Sequence, residues 1–267
     1  MDGRPLVLTR QPAQAGTLEA DMATAGRRVA FSQLTDFELP PTPGGLRAVV
    51  EAVVGGRCAW LLVTSPNAVR ALQAAGWTGA VGAGVRVAVT GAGTARVLAD
   101  AGCAVEPWMP ESASAAGILA EFPAAPAETD DDARRVLLPQ SALATAELEE
   151  ALTRRGWAVD RVEAYRTVPY PADAARRLLT EEPGDAGTVV PVGELAGADV
   201  ILTSPSAARA LAVHPALDDP ELRRTWRLVA LGAPTAREAR RLGLRLTGQA
   251  ATPDATGILA ALARPVG

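Results

Sequence analysis

The chain carries one pattern twice. Thr64-Ser65-Pro66-Asn67-Ala68, followed by Arg70-Ala71-Leu72, returns as Thr203-Ser204-Pro205-Ser206-Ala207, followed by Arg209-Ala210-Leu211. Gly91-Ala92-Gly93-Thr94-Ala95-Arg96 returns as Gly232-Ala233-Pro234-Thr235-Ala236-Arg237, and Gly117-Ile118-Leu119-Ala120 as Gly257-Ile258-Leu259-Ala260. The spacings are 139, 141 and 140 residues. Three matches at one spacing imply two copies of one supersecondary arrangement. Two similar lobes in turn predict a ligand cleft between them. A length of 267 residues suits two domains of roughly 150 residues each.

Each copy reads as α/β. Trp60-Leu61-Leu62-Val63 is apolar throughout, as a parallel strand buried on both faces requires, and Ser65-Pro66 then supplies N-cap and first-turn chemistry for a helix. Val200-Ile201-Leu202 and Ser204-Pro205 repeat the sequence of events. Further strands are expected at residues 5–9, 28–34, 86–90, 104–107, 135–139, 158–162 running on into 164–167, 227–231 and 244–246. Helices are expected over 13–25, 45–54, 116–122, 146–155, 172–180 and 254–263, with Gly26 and Gly156 as stops. The opening strand-helix-strand, with Gly26 and Val29, resembles the middle segment, with Gly156 and Val159. The simplest arrangement interleaves the copies: residues 1–35 plus 172–267 form one lobe, 42–163 the other, and 36–41 and 164–171 are crossover linkers. A tandem split near residue 130 is the competing arrangement.

Composition removes several function classes. The formal charge of −4 argues against a general nucleic-acid binder. There is no apolar run long enough to span a membrane, and Met1-Asp2-Gly3-Arg4-Pro5 does not read as a signal peptide, so a cytoplasmic protein is expected. All 26 basic residues are arginine, which excludes a Schiff-base lysine and a P-loop lysine. The only histidine is His214, so a Ser-His-Asp triad and multi-histidine metal sites are poor candidates. Cys58 and Cys103 lack metal-ligand spacing and read as small buried hydrophobes.

In open α/β sheets ligands bind beyond the carboxyl ends of the strands. Here those ends carry Thr64-Ser65-Pro66-Asn67, Gly91-Ala92-Gly93-Thr94, Thr203-Ser204-Pro205-Ser206 and Gly232-Ala233-Pro234-Thr235. Each combines small residues with a hydroxyl at a helix start, where free N–H groups and the helix dipole favour anions. Any one of them is explained by N-capping alone. Four in duplicated positions point to a ligand with several carboxylates or phosphates. Gly91-Ala92-Gly93 is no dinucleotide fingerprint, because Pro234 occupies the second copy where close backbone approach needs glycine. Arg70, Arg96, Arg209 and Arg237 lie within two turns of the helix starts, as extra positive charge or as surface ion pairs. Tyr165 falls at a crossover, either as a proton donor or as a packed hinge aromatic.

At these residues the chain resembles the uroporphyrinogen-III synthase family. The matching pieces are Leu6-Val7-Leu8-Thr9-Arg10, residues 60–69, 89–95, Val162-Glu163-Ala164-Tyr165-Arg166-Thr167, residues 201–207 and 231–236. The resemblance implies two flavodoxin-like parallel-sheet lobes joined by a two-stranded crossover ladder, with the ligand cleft between them. It implies a cofactor-free and metal-free cyclisation of hydroxymethylbilane to uroporphyrinogen III, with loss of water and inversion of ring D through a spiro intermediate. Tyr165 would be the acid for the departing hydroxyl. Ser65, Thr94, Ser204 and Thr235 would hold substrate carboxylates, with Arg10, Asn67 and Ser206 completing the set. Expected partners are the substrate and, transiently, hydroxymethylbilane synthase, with no nucleic acid and no membrane, and the expected state is a monomer. Gln140-Ser141 stand where many relatives carry a basic residue, and Thr90 where glycine is common. A non-catalytic two-lobed anion-binding or sensor protein is the alternative, and a degenerate member serving as a regulatory module is a third reading.

Overall fold

The computed structural model describes residues 3–14, 16–127, 130–179 and 187–263. The chain opens with β1 (Leu6–Leu8), α1 (Thr17–Thr24) and β2 (Val29–Phe31). All three side chains of β1 are buried, as in a strand covered on both faces. Before α1 the Gly16 N–H donates to the Glu19 carboxylate across 2.8 Å. After it Gly26 turns the chain at φ 73°, which a residue with a Cβ adopts only under strain.

Then come β3 (Thr35–Glu38), α2 (Gly44–Val54), β4 (Trp60–Val63), α3 (Pro66–Ala74), β5 (Arg86–Val89), α4 (Ala92–Asp100), α5 (Ala115–Glu121), β6 (Arg135–Ser141), α6 (Glu147–Arg154) and β7 (Ala158–Pro169). The chain continues with β8 (Asp199–Leu202), α7 (Pro205–Ala212), α8 (Pro220–Thr225), β9 (Arg227–Ala230), α9 (Ala233–Arg241), β10 (Gly248–Gln249) and α10 (Ala255–Ala263).

These elements form two compact units. The first comprises Met1–Asp36, Val168–Ala172 and Leu179–Gly267; the second comprises Phe37–Thr167 and Asp173–Leu178. One five-stranded sheet has the order β10-β9-β8-β1-β2, the other β3-β7-β6-β4-β5. The first sheet is parallel throughout, and so are the β7-β6, β6-β4 and β4-β5 pairs of the second. The α/β architecture expected from the apolar runs is thus present.

Each sheet is buried on both faces. In the first unit Leu6, Leu8, Ile201, Val229 and Ile258 pack on one side, and Val7, Val200, Leu202, Leu211 and Leu228 on the other. In the second unit Trp60, Phe122 and Trp157 anchor a cluster with Leu62, Leu138 and Leu152. Asp199, fully buried at the start of β8, is held by Arg4 (3.2 Å), Arg27 (2.8 Å) and Arg227 (2.7 Å). Cys58 is a buried free thiol, and burial pushes it up to about 11.

Several local expectations are corrected. Residues 172–179 are not helical; position 180 lies outside the described residues. The Ala174-Ala175-Arg176-Arg177 run has helix propensity, but its backbone pairs with β3 instead. Leu39 N–H donates to Arg176 O and Leu178 N–H to Phe37 O, each at 2.8 Å, while Asp173 N–H bonds the Glu38 carboxylate. The 36–41 segment read as a linker begins as strand β3, and its prolines follow the strand end. Asp36 is buried there because Gln11 Nε2 (2.8 Å) and Ala172 N–H (3.0 Å) both donate to its carboxylate. The other crossover, 164–171, is strand as far as Pro169, in line with the expected continuation of 158–162 into 164–167. The strand expected at 104–107 reduces to a single bridge between Trp108 and Ala88. The one expected at 244–246 forms further on, as β10 at Gly248–Gln249.

Candidate functional site

Two of the three repeated motifs fall where strand hands over to helix, and the third, at 117–120 and 257–260, lies within α5 and α10. β4 runs into α3 at Ser65, whose Oγ accepts the Ala68 N–H at 3.2 Å. β8 runs into α7 at Ser204, whose Oγ accepts the Ala207 N–H at 3.0 Å. Both serines have extended backbone and are followed by proline, whose missing N–H costs nothing in the first turn. The Gly91 and Gly232 starts differ from expectation. They have no side-chain cap; Thr94 and Thr235 are the third residues of α4 and α9 and are buried. Their hydroxyls sit too far along the helix to act as caps, and any anion at these ends would meet backbone N–H groups.

Tyr165, in β7, is brought to Ser65. The Ser65 hydroxyl donates to the Tyr165 phenol oxygen at 3.1 Å. Phe37 packs against the phenol ring edge-on, with centroids 5.8 Å apart. Ala142 N–H bonds the Tyr165 carbonyl at 2.9 Å, which fixes the strand next to the end of β6. Because the phenol oxygen accepts from Ser65, its own proton is left to donate.

Asn67 and Ser206 occupy equivalent places and both hold an arginine. Asn67 Oδ1 accepts from Arg70 at 3.0 Å and Ser206 Oγ from Arg209 at 3.2 Å. Arg10 is committed elsewhere in its unit: its Nε donates to the Glu19 carboxylate at 3.0 Å. A ligand carboxylate would have to displace Glu19. His214 is structural, with Nδ1 accepting the Ala216 N–H at 3.2 Å.

Within the second unit a cavity of about 420 Å³ is lined by Thr64, Thr90, Ser114, Leu119, Gln140, Thr145, Glu147 and Leu148 among others. Thr90 Oγ1 donates to the Thr64 carbonyl at 3.0 Å, tying the ends of β5 and β4 together. Gln140 is buried, and its Oε1 has no hydrogen-bond partner among the described residues. Sequence reasoning does not single out Thr145 or Glu147, since neither belongs to the repeat. Gln140 stands out in the sequence only as a missing basic residue. No group of three or more metal-ligating side chains occurs among the described residues, and no helix there is long and apolar enough to cross a membrane.

The comparisons agree with one another. A family model described as "Uroporphyrinogen-III synthase HemD" matches residues 17–260. The chloroplastic uroporphyrinogen-III synthase of Oryza sativa subsp. japonica is 30% identical over 206 residues. That match covers 74% of this chain and 60% of the plant protein, so the chain spans less than two thirds of that relative. The uroporphyrinogen-III synthetase structure from Helicobacter pylori 26695 gives a TM-score of 0.58 at 16% identity, covering 96% of this chain and 97% of that one. A mutant uroporphyrinogen III synthase from the extreme thermophile Thermus thermophilus gives 0.52 at 18% identity, covering 97% of each chain. At these identities the two structures speak for the fold.

Proposed function

The chain belongs to the uroporphyrinogen-III synthase family, and from that premise we propose that it closes hydroxymethylbilane to uroporphyrinogen III. The proposed chemistry begins with cleavage of the hydroxymethyl C–O bond. Tyr165 gives its proton to the departing hydroxyl, which leaves as water, and loss of the pyrrole N–H proton completes an azafulvene. Ring D then attacks through its substituted carbon to form a spiro pyrrolenine, which fragments and recloses with ring D inverted. The linear substrate closes unaided to the type I isomer, so the protein's main task is to hold it so that the other carbon attacks.

The hydrogen bond from Ser65 to Tyr165 is the observation that carries this reading. It leaves the phenol proton available to the substrate, and it would stabilise the negative charge left on the oxygen after proton transfer. Backbone N–H groups at the helix starts, with Ser65, Asn67, Ser204 and Ser206, suit substrate carboxylates. Thr94 and Thr235, buried in the first turns of α4 and α9, belong to the same proposed set. Arg10 is assigned a carboxylate contact only if Glu19 gives way. No cofactor enters the proposed cycle, and cytoplasmic residence, a monomeric state and a transient encounter with hydroxymethylbilane synthase belong to the same proposal.

A coupled assay tests it. Hydroxymethylbilane is generated in situ, this protein is added, and the oxidised products are resolved as type I or type III uroporphyrin. Predominantly type III is expected. Type I alone, from protein shown to be folded, would overturn the reading.

A further inference from the structure

The duplication supplies an internal comparison, and the two copies differ in one ionic detail. In the first unit Arg209, on α7, is neutralised. Glu238 reaches it from α9 at 2.9 Å and also takes Arg241 at 2.9 Å. Hydrogen bonds from Arg241 and Arg209 hold the Glu238 carboxyl down to about 2, so this counter-ion stays charged across the working pH range. In the second unit the equivalent arginine is Arg70, on α3. The position equivalent to Glu238 is Val97, on α4, and the helices α3 and α4 pack together.

Arg70 therefore lacks its counter-ion. Among the described residues no carboxylate lies within ion-pair distance of Arg70 or of Arg96. The one hydrogen bond Arg70 makes to a side chain there is to the neutral Asn67 amide, at 3.0 Å. Arg70 is partly buried, and burial, followed by the like charge of Arg96, pulls its guanidinium below the ordinary value. Two guanidiniums on adjacent helices with no anion between them repel each other, whereas a bound carboxylate or phosphate would turn repulsion into paired charge-assisted hydrogen bonds.

We propose that Arg70 and Arg96 form a subsite for one carboxylate of an anionic ligand, open in the second unit and closed in the first by Glu238. Under the function proposed above, on which the choice of ligand rests, that carboxylate is a side chain of the tetrapyrrole, and the pair is a positioning and affinity device rather than a participant in bond cleavage. The internal counter-ion of one copy shows how to close the other: Val97→Glu places a carboxylate at the position Glu238 holds.

The experiment measures kcat and KM for type III formation, and the affinity for uroporphyrin I, which carries the same eight carboxylates and does not react. Val97→Glu, Arg70→Gln and Arg96→Gln are compared with Arg241→Gln. Arg96 lies on an exposed helix face, so Arg96→Gln keeps the test valid if Val97→Glu folds poorly. The expected result is a KM raised about ten-fold, with kcat within about two-fold, and a similar loss of uroporphyrin I affinity; Arg241→Gln leaves both unchanged. Unchanged KM and uroporphyrin I affinity in Arg70→Gln and Arg96→Gln, whether or not Val97→Glu folds, would overturn the subsite while leaving the synthase reading intact. If the wild-type protein yields only type I product, the synthase reading falls and the uroporphyrin I titration alone decides the subsite. Absence of wild-type binding in that titration would overturn it.

Discussion

The Ser65 hydroxyl donates to the Tyr165 phenol across 3.1 Å while accepting the Ala68 amide at 3.2 Å. One small side chain thus caps α3 and orients the proposed acid. Its two bonds run in sequence, from helix backbone to serine to phenol, and the phenol proton lies at the end of the series. Tyr165→Phe keeps the ring against Phe37 and removes only that proton. It is expected to lower the rate of type III formation by up to about 10²–10⁴-fold, a loss within or below the range usual for a general acid, with stability almost unchanged. Wild-type turnover in the single-variant assay would remove the acid role.

Ser65→Ala and Ser204→Ala each delete one N-cap, and each is expected to cost about 1 kcal/mol of stability, seen as a lower urea midpoint. Their effects on kcat should separate. Ser65→Ala also releases Tyr165, whereas Ser204 caps α7 alone, so the first variant should lose more turnover than the second. Equal kcat values would show that the serine-to-phenol bond does not matter to the chemistry.

Much of this is legible in the sequence because parallel strands announce themselves as apolar runs. Residues 60–63 and 200–202 can be little else, and Ser-Pro after each marks the helix starts. Ser65 and Tyr165 stand out separately, and only folding brings them together over 100 residues of chain. What stays hidden depends on partners remote in sequence. The 172–179 segment has helical composition, yet its N–H and C=O groups are taken by β3. Arg10 looks free because its partner, Glu19, lies nine residues on, at no regular spacing. Thr94 and Thr235 look like caps, but the glycine three residues earlier takes that position. Val97 is the quiet half of the repeat: the informative feature is a carboxylate absent from one copy.

Asp199 anchors the first sheet through three arginines. Burial alone would raise its pKa, but hydrogen bonds from Arg227 and Arg27, with their charges, outweigh burial and hold the carboxyl below its ordinary range. A carboxyl lowered in the folded state contributes stability that is present above its unfolded pKa, near about 4, and is lost as pH falls through the folded value. Asp199→Asn leaves three guanidiniums without their shared anion and is expected to cost about 3–5 kcal/mol at neutral pH. Its urea midpoint should also fall less steeply than wild type as the solution is acidified below about pH 4. Parallel pH profiles for the two proteins would show that acid sensitivity arises elsewhere.

Gly117 and Gly257 explain the third repeated motif. A Cβ on Gly117 would lie 2.0 Å from the Ser112 carbonyl oxygen, and one on Gly257 2.3 Å from that of Thr252. In both copies the loop before the helix folds back onto its first turn, and the obstructing atom is backbone. Gly117→Ala and Gly257→Ala are each expected to destabilise by about 1–3 kcal/mol, despite the helix propensity alanine would add. Thermal or urea unfolding checks this; a stabilised variant would show that the loop moves aside freely.

The aromatic cluster of the second unit makes the two halves of the chain optically distinct. Of five tryptophans, Trp60, Trp77, Trp108 and Trp157 belong to that unit and Trp226 to the other. Trp60 and Trp108 lie 6.5 Å apart at 73°, close enough for their transitions to couple. Near-ultraviolet circular dichroism therefore reports chiefly on one sheet. Emission from a Trp226→Phe protein would come only from the tryptophans of the second unit, so that its melting could be followed apart from that of the other half by light alone.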